Sequence, residues 1–289
     1  MVIKITLLLV FFAVMVGIGL YCRKHATDVN GFVLGGRSVG PWLTAFAYGT
    51  SYFSAVVFVG YAGQFGWKYG IAATWAGIGN ALLGSLLAWA VLGRRTRIMS
   101  QHLDSATMPE FFGKRFGSKS LKIAASVIIF IFLIPYTASL YNGLSRLFGM
   151  AFHIDYSLCV IVMAVLTGVY VIAGGYMATA INDFIQGIIM LFGICAVILA
   201  VLNSQGGFLA ALEGLAQVSD PAVSDIPGVF ASFFGPDPLN LLGVVLLTSL
   251  GTWGLPQMVQ KFYAINSDKY IDAGTLISPL FALGLAVGC

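Results

Sequence analysis

Two stretches of this chain place glycine, proline and hydroxyl side chains inside apolar runs. The first is Gly49-Thr50-Ser51-Tyr52-Phe53-Ser54, within an uncharged run over 38–67 that also holds Gly60, Gly63 and Gly66. Small hydroxyl residues beside a glycine weaken a helix locally. An unwound stretch at mid-membrane can then aim bare carbonyls at a hard cation such as sodium, and hydroxyls at a polar solute. The same residues also suit an unbroken membrane helix, in which Ser and Thr bond back to the i−4 carbonyl. The second stretch is Ser249-Leu250-Gly251-Thr252-Trp253-Gly254-Leu255-Pro256-Gln257. Its glycines and proline break or kink a helix, although a simple proline kink accounts for it equally. A third feature is Asp183, the one acid within the apolar stretches, flanked by Asn182 and Gln186. A carboxylate there is costly, so an ion or a partner is the default expectation; an interfacial acid capped by water is the alternative. It lies roughly 10 Å along its helix from Gly174-Gly175, at 1.5 Å per residue.

The elements that must carry these residues follow from composition. The 289 residues are 59% hydrophobic and 9% charged, with 35 glycines and a mean hydropathy of +0.93. Such a chain has lipid as its natural solvent and glycine for close helix packing. Uncharged runs cover 5–21, 38–67, 69–93, 123–145, 156–182, 184–212, 238–260 and 273–289, with only Asp183 between the fifth and sixth. At about 20 residues per span, they predict seven full membrane helices and a shorter eighth. The two interrupted helices are the second and the seventh, the positions at which the halves of an inverted five-helix repeat begin. The pairs Gly77/Ala81 and Gly84/Ala88 read as packing contacts of the third helix.

Most of the basic residues fall in the loops after the first, third and seventh spans: Arg23, Lys24 and Arg37; Arg94, Arg95, Arg97, Lys114, Arg115, Lys119 and Lys122; Lys261 and Lys269. The loop over 203–237 has only acidic charges. The positive-inside rule then puts the amino terminus outside and the basic loops in the cytoplasm. The net charge of +4 needs no nucleic acid to explain it. Thr107-Met108-Pro109-Glu110 reads as a helix start in a cytoplasmic loop, with Thr107 as the cap; that helix is expected on the inner membrane surface. Cys22, Cys159, Cys195 and Cys289 show no metal-ligand spacing and read as packing residues. Without a phosphate loop, a nucleophile–base pair or a metal cluster in the sequence, nothing points to an enzyme.

With those elements in place, Gly35-Gly36-Arg37-Ser38-Val39-Gly40-Pro41-Trp42 followed by 49–54 resembles the signature of the sodium:solute symporter family. Thr107–Glu110 with Arg115-Phe116, Ala173-Gly174-Gly175-Tyr176 with Asn182-Asp183-Phe184-Ile185-Gln186, and Pro256-Gln257 with Lys261-Phe262 agree with it. The resemblance implies an all-α membrane protein of LeuT-type inverted-repeat fold. Residues 1–37 would hold a peripheral first helix and its loop, 38–202 the first five-helix repeat, 203–237 an extracellular loop, and 238–289 the start of the second repeat. It implies sodium held by backbone carbonyls of Thr50 and Phe53, with Asp183 linked to sodium coupling. Tyr52, Ser54, Trp253, Pro256 and Gln257 match positions near the substrate. Tyr52 stands where the proline symporters of the family carry an aspartate.

The function implied is sodium-coupled symport of a small organic solute, in the first place an amino acid such as proline, otherwise a carboxylate or a sugar. The setting is the lipid bilayer of a bacterial inner membrane, with sodium as coupling ion and no other cofactor. Family members are longer. The expectation is therefore a truncated chain that does not complete a transport cycle by itself. A seven-helix sensor or receptor and a non-transporting remnant are the alternative readings.

Overall fold

The computed structural model describes residues 2–53 and 61–286, which form helices with two isolated β-bridges. Helix α1 (Val2–Cys22) is followed by the short α2 (Val29–Leu34), whose Asp28 cap accepts from the Gly31 N–H at 3.1 Å. Helix α3 (Pro41–Tyr52) starts on a proline, which suits a first turn whose N–H groups have no intrahelical partner. It stops at Phe53, where the backbone leaves the helical region (φ −91°, ψ 68°). Past residues 54–60, which lie outside the described residues, Tyr61 and Ala62 are helical and lead into α4 (Gly63–Tyr69) and α5 (Thr74–Gly79); the chain then widens into π-helical turns over Asn80–Leu86 and Trp89–Gly93 and continues as α6 (Arg94–His102).

The helix expected from the Thr107–Glu110 pattern is α7 (Met108–Phe116). Thr107 Oγ1 accepts from the Glu110 N–H at 3.4 Å, and Glu110 reaches back to the Ala106 N–H at 3.0 Å. That backbone N–H, helped by Lys114, holds the Glu110 carboxyl below the usual carboxylate range. Next come α8 (Lys119–Phe152), α9 (Tyr156–Ser204) and α10 (Phe208–Ala216), then α11 (Pro238–Leu250), α12 (Pro256–Ala264) and α13 (Tyr270–Ala286).

Among the described residues, four helices are long and apolar enough to cross a membrane, and five when the pair Pro238–Gly254 and Pro256–Ala264, bent by 52°, is taken as one. The difference from eight apolar runs has identifiable causes. The fifth and sixth runs form one helix of 49 residues, α9. At 1.5 Å per residue this is roughly 74 Å, more than twice a bilayer core of about 30 Å. It turns at Gly175 (φ 56°, ψ −150°), so the boundary is that glycine and not Asp183, which sits inside the following helix. The sixth run also ends early: α9 stops at Ser204, and Gly206 and Gly207, both at positive φ, separate it from α10. The second run is interrupted after Tyr52, and the eighth, α13, has 17 residues.

Gly175 has the conformation and the crowding that only glycine tolerates. An added Cβ would lie 2.7 Å from the Phe32 carbonyl oxygen. Gly175→Ala is expected to cost about 1–3 kcal/mol from the left-handed backbone alone, with the clash added. A thermal unfolding midpoint unchanged in the variant would show that the turn is not strained by a side chain.

One core cluster gathers Phe46, Tyr48, Trp89, Phe262 and Phe281, drawn from α3, the second π-helical turn, α12 and α13. The second joins Leu34, Val39, Tyr176, Val259 and Tyr263. The outer faces of α8 and α9 instead expose Ile, Val and Phe side chains, the pattern of helices that face lipid.

Candidate functional site

The two broken helices face each other across a cavity of about 480 Å³. The α3 end contributes Ser51, Tyr52 and Phe53, while α11 and the 3-10 turn after it contribute Thr248, Gly251 and Thr252. Asn80 and Ala76 close one side, and Tyr136 and Ser139 of α8 another. The walls are largely apolar, with hydroxyls and one carboxamide set among them. That is the makeup of a pocket for a small organic molecule.

Tyr52 is the hinge pin of this cavity. Its hydroxyl lies 2.8 Å from Asn80 Oδ1 and 2.9 Å from the Thr248 carbonyl, so one proton serves two acceptors. Ser249 Oγ donates to the same Asn80 Oδ1 at 3.0 Å. A buried polar group is costly unless bonded. Here three of them satisfy each other and tie α3 to the first π-helical turn and to α11. The close approach depends on Gly84, where an added Cβ would stand 2.1 Å from the Tyr52 hydroxyl oxygen.

The other residues expected near a substrate divide. Ser54 lies outside the described residues. Trp253 turns into the protein, donating from Nε1 to the Leu83 carbonyl at 2.9 Å and packing on the aromatic cluster. Pro256 opens α12. Both side-chain polar atoms of Gln257 are buried without a hydrogen-bond partner. None of these three is among the residues lining the cavity, whereas Leu255 and Met258 beside them are.

Of the residues expected to bind sodium, Thr50 uses its hydroxyl within its own helix, donating to the Phe46 carbonyl at 2.9 Å. The Thr50 side chain faces Gly187 of α9, where a Cβ would sit 3.1 Å from Thr50 Cγ2. Asp183 is one helical turn earlier on α9, so it and α3 share a neighbourhood. Asp183 has a partner that sequence reasoning missed. Lys261 Nζ lies 3.3 Å from Asp183 Oδ2 and 5.2 Å from the Tyr176 ring centroid. Lys261 is buried, at 6% exposure, inside α12 and not in a loop after it. The available signal was its place one turn after Gln257 on a helix with an apolar face.

Two arginines assigned to basic loops are likewise structural. Arg97 is buried at 3% exposure and donates to the carbonyls of Ile265 (2.6 Å) and Asn266 (3.0 Å) and to Gln101 Oε1 (2.8 Å). Arg37, at positive φ (55°), donates to the carbonyls of Ser105 (2.8 Å), Tyr263 (3.1 Å) and Ser100 (3.2 Å). Between them Val39 pairs with Ile265: Val39 N–H bonds the Ala264 carbonyl at 3.4 Å, and Asn266 N–H bonds the Val39 carbonyl at 2.9 Å. The segment entering α3 and the segment leaving α12 are thus stitched together at the end away from the cavity.

Comparison with known proteins agrees with this arrangement. The model of the sodium:solute symporter family matches residues 32–288. Sodium/proline symporters of Staphylococcus aureus strains JH9 and NCTC 8325 / PS 47 are each 34% identical over 269 residues, covering 91% of this chain and 50% of the relative. The chain therefore spans about half the length of the curated relatives it matches. The solved structure of a sodium-coupled sialic acid symporter, in a substrate-bound outward-open state, superposes with a TM-score of 0.73 at 16% identity. The match covers 99% of this chain and 61% of that one. The likeness shows a shared fold, of LeuT type.

Proposed function

This chain belongs to the sodium:solute symporter family, and we propose that it works in sodium-coupled secondary transport of a small organic solute across a bacterial plasma membrane. The cavity between the two broken helices carries this reading. Its size and its mixture of apolar wall and hydroxyl groups suit an amino acid such as proline, ahead of a small carboxylate or a sugar. The relatives named sodium/proline symporters support that order. Tyr52 supplies the rim with a neutral hydroxyl network, so the solute meets hydroxyls there and not a carboxylate.

In this reading the carbonyls of Thr50 and Phe53, with Asp183, bind sodium. Sodium stabilises the end of α3 in the conformation that also forms the solute cavity. Coupling is then differential affinity: each ligand favours the state that the other binds better. Ser54, Trp253, Pro256 and Gln257 belong to the substrate region in the same reading, Gln257 by offering two buried polar atoms that lack partners. Residues 38–202 serve as one repeat and 238 onward as the opening of its inverted copy. Residues 1–37 lie outside the pair, 203–237 face the exterior, and the amino terminus is outside.

The test is binding of radiolabelled proline to membranes from cells that produce the protein, against membranes from cells that lack it, which needs no complete transport cycle. Sodium is expected to support saturable proline binding that potassium does not. Competition by unlabelled carboxylates or sugars but not by neutral amino acids would reassign the solute. Equal binding with and without the protein, for labelled members of all three classes, would overturn the proposal.

A further inference from the structure

The Asp183–Lys261 pair joins the helix after the Gly175 turn to the second half of the other broken helix. We infer that Lys261 is the resident cation of the Asp183 site. Its ammonium and a sodium ion occupy the carboxylate in turn, so that arrival of sodium displaces Lys261 and loosens α12 from α9. This rests on the reading of Asp183 as a sodium-coupling residue and adds to it the group that holds the site when sodium is absent.

Four observations carry the inference. First, the contact is 3.3 Å, against about 2.7–2.9 Å for a tight charge-assisted bond. A pair this loose can be exchanged without losing an optimised contact. Second, the Asp183 side chain is 24% exposed, and a carboxylate that is mostly out of water is disfavoured without a counter-charge. A transporter that releases sodium from such a site must refill it. A tethered ammonium, a compact point charge of the same sign and size of charge, refills it without importing a proton or a second ion. The carboxylate thus faces one positive charge in both states.

Third, the displaced ammonium has somewhere to go. It already lies 5.2 Å from the Tyr176 ring centroid, within cation–π range of about 6 Å, and the Tyr176 hydroxyl is buried without a partner. That oxygen is one the present bonds leave unused. Fourth, α12 is set off from α11 by the 3-10 turn Gly251–Gly254 and a 52° bend, so it is able to shift as a unit when its bond to α9 opens.

The experiment uses the protein in its membrane and reads the acylation rate of Lys261 by mass spectrometry, in sodium chloride and in potassium chloride of equal strength. Sodium is expected to accelerate labelling several-fold and saturably, and Asp183→Asn to abolish that dependence. Lys261→Gln is expected to raise the apparent sodium affinity by roughly tenfold, within the range of ordinary site coupling, while Lys261→Arg keeps it near the parent value. Equal labelling in the two salts, or unchanged or weaker sodium affinity in Lys261→Gln, overturns the exchange. If instead Asp183→Asn leaves the apparent sodium affinity unaltered, the sodium reading of Asp183 itself fails, and the exchange with it. The labelling measurement on the parent protein keeps the test decisive where Lys261→Gln does not fold.

Discussion

Arg97→Ala is expected to open the end of the protein opposite the cavity. Arg97 makes three hydrogen bonds, two of them to carbonyls just past the end of α12. Bonds from a charged donor contribute about 1.5–3 kcal/mol each. Water entering the gap would recover part of this, so a net loss of about 3–5 kcal/mol is expected, the range for breaking a buried charged contact. The Val39–Ile265 bridge has two backbone bonds of its own, and would then keep, besides these, only the Arg37 bonds and its packing on Val259 and Tyr263. Val39 is fully buried. A cysteine placed there should react with a permeant maleimide at least tenfold faster in Arg97→Ala than in the parent, as expected for a loss of more than about 1.4 kcal/mol. Arg97→Lys should lie between them, because a point charge cannot span both carbonyls. Equal reactivity in all three proteins would mean that the arginine does not close this end.

Gly84→Ala is expected to damage the cavity more than removal of the hydroxyl it would strike. The added methyl would stand 2.1 Å from the Tyr52 hydroxyl oxygen and 2.8 Å from Cζ. The ring stacks on Tyr48 and lies tilted against Phe53, and it cannot retreat without leaving Asn80 and Thr248. Overpacking of about 1–3 kcal/mol then adds to about 1 kcal/mol for each hydrogen bond lost. In Tyr52→Phe only the hydroxyl goes, Asn80 Oδ1 keeps its bond from Ser249, and a loss of about 1–2 kcal/mol is expected. Thermal unfolding ranks the two variants, and sodium-dependent proline binding should fall more steeply in Gly84→Ala. If Gly84→Ala matched the parent within about 0.5 kcal/mol, a typical surface effect, Tyr52 would not be fixed by this contact.

Both breaks were legible because their signals are local. Hydroxyls and a glycine precede the stop at Phe53, and the glycines and proline over 251–256 produce the 3-10 turn and the bend. The Thr107 cap was legible for the same reason. Asp183 was visible as an acid in need of a partner, but the partner is 78 residues away in sequence, and no local pattern links them. Arg97 and Lys261 were misplaced because charge counting assigns basic residues to loops without knowing which carbonyls or carboxylates the fold brings to them. The side of the cavity made by Ala76 and Asn80 left no trace, since small residues in an apolar run look alike whether they pack on a neighbour or line a space. Gly84 did announce close packing, yet its partner proved to be Tyr52.

The proposed binding of sodium by α3 and α9 is tested most directly by the thermal stability of the protein in lipid nanodiscs, in sodium chloride and in potassium chloride of equal ionic strength. A ligand that binds only the folded state stabilises it by about 2.7 kcal/mol at a concentration one hundred times its Kd. The account predicts a melting temperature several degrees higher in sodium, rising with its concentration, with the gain reduced in Asp183→Asn. Superimposable melting curves in the two salts would contradict it.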